Sequence, residues 1–217
     1  MRKLKESRRP EILEAALAVG AERGLDALSM RAVAGYLGLT PMALYGYFRS
    51  KDELLDAVVG HLLSEIPAPP AGAGWREVIE HLAYGLRAVA ARHPSVLPLV
   101  LTRPADCPAA VQIVDALYQA LLAAGVPPAQ VPRLERMIST FGIGHTLSEV
   151  SGRFGPGTPG SQARRAQLPP ERLPGHHAIA SHLDDPVDWT AEFRADLRDM
   201  CDLVERIAHR PAREEGC

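Results

Sequence analysis

Apolar residues return at intervals of three and four along most of this chain, and nowhere do they alternate with polar ones for long enough to describe a strand. The periodicity predicts an all-α fold. Ile12, Leu13, Ala16 and Leu17 form one stripe, on a helix predicted from about Arg9 to Glu22, with Pro10 near its start and Gly24 just past its end. Leu54, Leu55, Val58, Val59, Leu62 and Leu63 form another, on a helix from Lys51 to about Glu65 that Pro67, Pro69 and Pro70 stop. Helices are also predicted over Trp75 to Arg92, Ala109 to Ala124, Val131 to Gly152 and Pro186 to Arg210, with a short apolar segment at 96–101. Breaks fall at His93-Pro94, at Gly125 with Pro127-Pro128, and over 152–175, whose Gly and Pro content predicts a mobile loop without helix.

Between the first two stripes the helix starts and stops crowd together. Ser29 is an N-cap for a helix to about Leu37, and Gly38 can take the left-handed backbone that ends it. Thr40 caps the next start, with Pro41 at the first helical position, and Gly46 keeps this second helix to about two turns. Ser50 and Glu53 then have capping-box spacing and open a third helix at Lys51. Two helices joined by a short turn containing Gly make a helix-turn-helix, whose second member enters a DNA major groove. Leu44 and Phe48, four apart, face inward, which leaves Thr40, Met42, Ala43, Tyr45 and Tyr47 for the outside or the turn. Tyrosine hydroxyls bond phosphates, and Ala, Met or Thr can touch thymine methyls. With no Arg, Asn or Gln on the short helix, phosphate contacts and DNA shape carry much of the recognition.

Charge supports the division. The whole chain carries 24 Lys or Arg against 26 acidic residues, yet residues 1–51 hold nine basic and five acidic side chains, a surplus of four. A basic end on an acidic body suits a nucleic-acid reader joined to an effector-sensing part. The cysteines, 107, 201 and 217, are odd in number and form no CxxC pair, which points to a reducing compartment. No apolar run is long enough for a membrane span, and the expected location is the cytoplasm. No nucleophile elbow, phosphate-cradling glycine loop or paired catalytic carboxylates can be defined, so an enzyme is not expected. His176, His177 and His182 lack a second ligand group at a recognised spacing, and neither a metal site nor a cofactor is expected.

The run Ile12 to Val59, with its caps, Gly24, Leu44-Tyr45, Phe48 and Lys51, resembles the DNA-binding domain of the tetracycline-repressor family. A weaker similarity to the tetracycline-repressor subclass continues through Trp75, His93, Thr102-Arg103-Pro104 and Ala124-Gly125. The resemblance implies a helix-turn-helix domain over 1–65 and a helical ligand-binding and dimerisation body over 66–217. Arg31, Thr40, Pro41, Met42, Ala43, Tyr45, Tyr47 and Lys51 then match positions that meet double-stranded operator DNA. It further implies a homodimeric repressor released from DNA by a small-molecule effector. Ligand-binding candidates are His61, Leu82, Leu86, Leu99, Thr102, Arg103 and His145; dimerisation candidates are Trp189, Phe193, Leu197, Met200 and Val204, along one face of the last helix.

The departures shape the expected ligand. Where tetracycline repressors carry a drug-binding Asn and an aromatic, this chain has Leu82 and Leu86; the magnesium-binding His is Leu99, and the other pocket His falls at about Pro67. A magnesium–tetracycline complex would meet an apolar wall there, so a more apolar molecule is expected. Two other readings stay open on sequence alone: a DNA-binding regulator or activator that needs no ligand and, more remotely, a helical enzyme.

Overall fold

The computed structural model describes residues 2–103, 106–153, 163, 166–183, 185 and 187–209, and every regular element among them is helical. In chain order these are α1 (Arg2–Arg23), α2 (Met30–Tyr36), α3 (Pro41–Tyr45), α4 (Lys51–Ser64), α5 (Trp75–Arg92), α6 (Pro98–Thr102), α7 (Pro108–Ala123) and α8 (Val131–Val150). Three more follow: α9 (Pro174–Ala178), α10 (Ala180–Leu183) and α11 (Trp189–Ala208).

Local chemistry explains most boundaries. The Ser29, Thr40 and Ser50 hydroxyls accept from the backbone N–H of Ala32, Ala43 and Glu53 at 3.2, 3.2 and 3.1 Å, so each of α2, α3 and α4 starts on a satisfied cap. Gly24, Gly38 and Gly125 take φ of 80°, 66° and 87° where α1, α2 and α7 give out, a backbone that a side chain would strain. Glu53 completes its box one residue early, accepting from the Arg49 N–H at 2.7 Å rather than from Ser50.

Two expectations need correction. α1 begins at Arg2 rather than near Arg9, so Pro10 lies inside it; the ring withholds one N–H and the helix continues past it. The stretch 152–175 is not free of helix: a 3₁₀ turn occupies Pro170–Arg172 and α9 starts at Pro174, both using proline at a helix start, where its missing N–H costs nothing. Within that stretch 154–162, 164 and 165 lie outside the described residues.

α1, α2 and α3 close with α4 over Ile12, Leu28, Leu44, Phe48, Leu54 and Val58, none of which retains exposed surface. Each such side chain contributes about 1.5–3 kcal/mol by leaving water. α5 packs on α7 and α8, α7 on α8, and α11 lies across α5 and α8. α4 belongs to both groups, touching α1 on one side and α7 on the other. Gly20 makes a second junction: a Cβ there would lie 2.4 Å from Val96 Cγ1, so α1 rests backbone-first on the turn after α5.

The last helix spends its apolar face within its own chain. Phe193, Leu197 and Val204, expected at a dimer seam, are buried against α5 and α8, with the Phe193 ring 5.3 Å from Tyr84 and 4.9 Å from His145. Trp189 is half-buried, its ring 5.2 Å from that of His145. Met200 is half-buried, packed in part against the core, and borders a shallow groove with Phe141 and Leu203. The reason is periodicity: a stripe that recurs every three or four residues faces one side, and α5 with α8 already occupies it.

Candidate nucleic-acid interface and cavity

α3 is a five-residue helix held at both ends. Thr40 caps its start; at the other end the Arg9 guanidinium donates to the Tyr47 carbonyl at 3.0 Å and lies 4.2 Å over the Phe48 ring. A cation on the carbonyl end of a helix is favourable, and the ring face adds a cation–π contact. Leu44 and Phe48 are buried beneath, so little freedom remains for the outward side chains.

Those side chains form an exposed apolar face. Met42 is 79% exposed and Tyr45 49%, and Tyr36 of α2 is likewise open at 47%. Large apolar groups this open on a rigid element mark a surface built to meet another. Thr40, Pro41 and Ala43 are exposed as the sequence predicts, whereas Tyr47 is half-buried against the core and presents only part of its ring. Lys51 is exposed at the first position of α4 and Arg31 is exposed on α2.

Glu11 and the acids of α4's first two turns are engaged. Asp52 and Asp56 bind Arg103 at 3.1 and 2.6 Å, Glu53 accepts from Arg49 N–H and lies 3.9 Å from Arg9, and Glu11 pairs with Arg8. Lys51 and Arg31 have no such partner among the described residues, which leaves their charge for an outside anion. Arg9 and Tyr36 escaped the sequence reading. Arg9 stood only in the basic tally, since a contact across 38 positions leaves no local mark; Tyr36 could have been found from its polar ring on the outer side of α2.

A cavity of about 1010 Å³ opens beside the carboxyl end of α4. Its walls are Leu63 and Ser64 of α4, the proline-rich stretch 66–73, Trp75, Val78 and Leu82 of α5, and one side of α7 with Gln112, Ile113, Asp115, Ala116 and Gln119. A Cβ at Gly85 would come 2.8 Å from Ile66 Cγ2, so the chain leaving α4 is pressed flat on α5 and helps close the wall.

Of the seven ligand candidates, Leu82 alone borders this cavity. His61 turns toward the amino-terminal helices and meets Glu14 at 2.9 Å. Leu86 packs toward Gly142 between α5 and α8, and Leu99 is buried. Thr102 is exposed, its hydroxyl donating to the Pro98 carbonyl at 3.0 Å. Arg103 reaches α4 instead: it bonds Asp56, Asp52 and the Asp52 carbonyl, and the Asp56 hydrogen bond pushes its pKa up. His145 sits in an aromatic nest of Phe141, Trp189 and Phe193, 3.5 Å from an Asp196 oxygen. Side chains facing the proline-rich stretch and α7 were missed because that stretch has no periodicity from which to read a facing side.

Comparison with known proteins bears on both surfaces. Residues 12–58 match the family model described as bacterial regulatory proteins, tetR family, and residues 66–198 match the tetracyclin repressor-like C-terminal domain. The HTH-type transcriptional repressor DrrR1 of Streptomyces coeruleorubidus is 32% identical over 141 residues, 64% of this chain and 52% of DrrR1, so the match spans about half of that relative's length. The tetracycline repressor protein class A from transposon 1721 of Escherichia coli is 31% identical over 163 residues, 73% of this chain and 74% of that protein. Among solved structures, BioQ with its double-stranded DNA operator superposes with a TM-score of 0.66 at 28% identity, covering 91% of this chain and 97% of BioQ.

Proposed function

Because the chain belongs to the tetR family of bacterial regulatory proteins, we propose that it is a transcriptional repressor that binds double-stranded operator DNA as a homodimer and lets go when a small molecule enters the cavity. One observation carries this reading: α4 is a wall of both sites. Lys51, one of the expected phosphate contacts, is its first residue, and Leu63 and Ser64 at its carboxyl end border the cavity. Fourteen residues of helix span about 20 Å, and α4 packs on α1, which packs on α2 and through it on α3, so an occupant that pushes on Leu63 moves the amino-terminal helices as a group.

In this mechanism Met42, Ala43 and Tyr45 meet base edges and sugar while Arg31, Thr40 and Lys51 hold phosphates. Domain 1–65 reads DNA and 66–217 senses the ligand and dimerises, through the outer faces of α8 and α11 at Phe141, Met200 and Leu203 rather than through the buried stripe. A two-fold dimer presents two α3 helices to half-sites about one helical turn apart, and displacement of α4 spoils that spacing. Leu82 and Pro67, where tetracycline repressors carry polar drug ligands, argue for an effector other than magnesium–tetracycline.

The test is selection of bound fragments from random-sequence duplex DNA, followed by competition with bulk DNA. A palindromic site bound by two protomers, with affinity falling steeply as salt rises, is the expected outcome. No sequence preference, or a flat salt profile, would overturn the reading.

A further inference from the structure

Resting on the reading of the cavity as the effector site, we propose that the effector is an organic cation with a bulky apolar body, seated with its positive centre against Asp115. Among the described residues that border the cavity, Asp115 carries the single formal charge, and no lysine, arginine or histidine accompanies it. Its neighbour Gln119 donates an amide N–H to Oδ2, which leaves the negative charge in place and turns the Gln119 carbonyl into a further acceptor one helical turn along α7. Across the cavity Pro67, Pro69 and Pro70 have no backbone N–H to offer. Ser64 and Gln112 add neutral polar groups to the lining, the Ser64 hydroxyl being spent on the His61 carbonyl, so Asp115 supplies the one full charge in a wall of mixed apolar and neutral polar groups.

Neighbouring charges do not cancel Asp115. Arg76, stacked on Trp75, is committed to Asp202 and Glu205 of α11. The amide end of α5 reaches the cavity at Trp75, and Glu77 in its first turn offsets that end's positive dipole. Asp115 lies at the exposed rim of the cavity, where an anionic effector would bring like charge to it with no base among the bordering residues to compensate. The volume of about 1010 Å³ accommodates a large body such as fused rings or several aryl groups.

Tetraphenylphosphonium and tetraphenylborate, alike in shape and opposite in charge, make the probe pair. Their affinities for the full chain would be measured by calorimetry in wild type, D115N and V78W, which plugs the cavity, together with release of the selected operator. The expected result is that the phosphonium binds and weakens operator binding, that V78W blocks it, and that D115N shifts the phosphonium-to-borate affinity ratio by about tenfold toward borate. Binding and release by both ions, blocked by V78W but with a ratio unchanged in D115N, would overturn the charge assignment and leave the repressor reading standing. Binding by neither ion would overturn the assignment, and binding indifferent to V78W would overturn the cavity as the effector site and the assignment with it.

Discussion

The amino-terminal helices and the cavity-bearing body are built to different standards of closure. In the first, α2, α3 and α4 each begin on a side-chain cap, and the core beneath α3 is sealed. In the second, the helices around the cavity are looser: α5, α6 and α8 begin on Gly74, Leu97 and Gln130 with no side-chain cap, α7 begins on the weak acceptor Cys107, and about 1010 Å³ stands open between α5 and α7, while α11, away from the cavity, starts on the Asp188 carboxylate. A surface that must match DNA needs its side chains fixed in advance, whereas a sensor needs room and slack. The difference is what the proposed function asks of a reading part and a sensing part in one chain.

The sharpest check is a matched pair of core truncations. Leu44→Ala removes a side chain from a sealed site and should cost about 4 kcal/mol, transfer and cavity terms together. Leu82→Ala borders space that is already open, so only the transfer term applies and the cost should be about 2 kcal/mol. Equal losses in urea unfolding would erase the distinction. Tyr45→Ala touches no core and should weaken operator binding about 100-fold through its two copies in a dimer, with the dimer intact by sedimentation. Unchanged affinity would mean that α3 is not the reading element.

Arg103→Ala probes the join between the two regions. Releasing Asp52 and Asp56 should weaken operator binding about fivefold, by loosening α4 and freeing two carboxylates beside Lys51, without altering effector affinity. The smallest expected effect is in the caps. Ser50→Ala should cost about 1 kcal/mol and Cys107→Ala close to nothing, because a thiol is a poor acceptor. A larger loss at Cys107 would show the body to be as tightly specified as the amino-terminal helices.

The same contrast explains what could be read in advance. Caps, left-handed glycines and the four-residue spacing of Leu44 and Phe48 are local signals, so α2, α3 and α4 were legible to within a residue or two, and with them the outward Met42 and Tyr45. Tyr47 lies in the turn after α3, one of the two places expected for it, but how far its ring is covered depends on the fold around it and could not be read from position. In the body the helices were legible and their facing was not: the stripe on α11 reads equally well as an inner or an outer face, and Phe193, Leu197 and Val204 proved to be inner. Arg103 was recognised as a residue of interest, yet its partners lie about fifty positions away, a distance at which spacing carries no information.

Gly20 sets how the two regions can move against each other. The join there is backbone on side chain with no atom to spare, while around it the joins are ion pairs, Arg103 to α4 and His61 to α1, which solvent and charge can renegotiate. In the proposed mechanism a hard point among softer ones would act as a fulcrum, so that effort applied at the Leu63 end of α4 turns the amino-terminal helices instead of letting them slip sideways. Any side chain at position 20 would lift the beam from its bearing, so the same push would be spent on rattling.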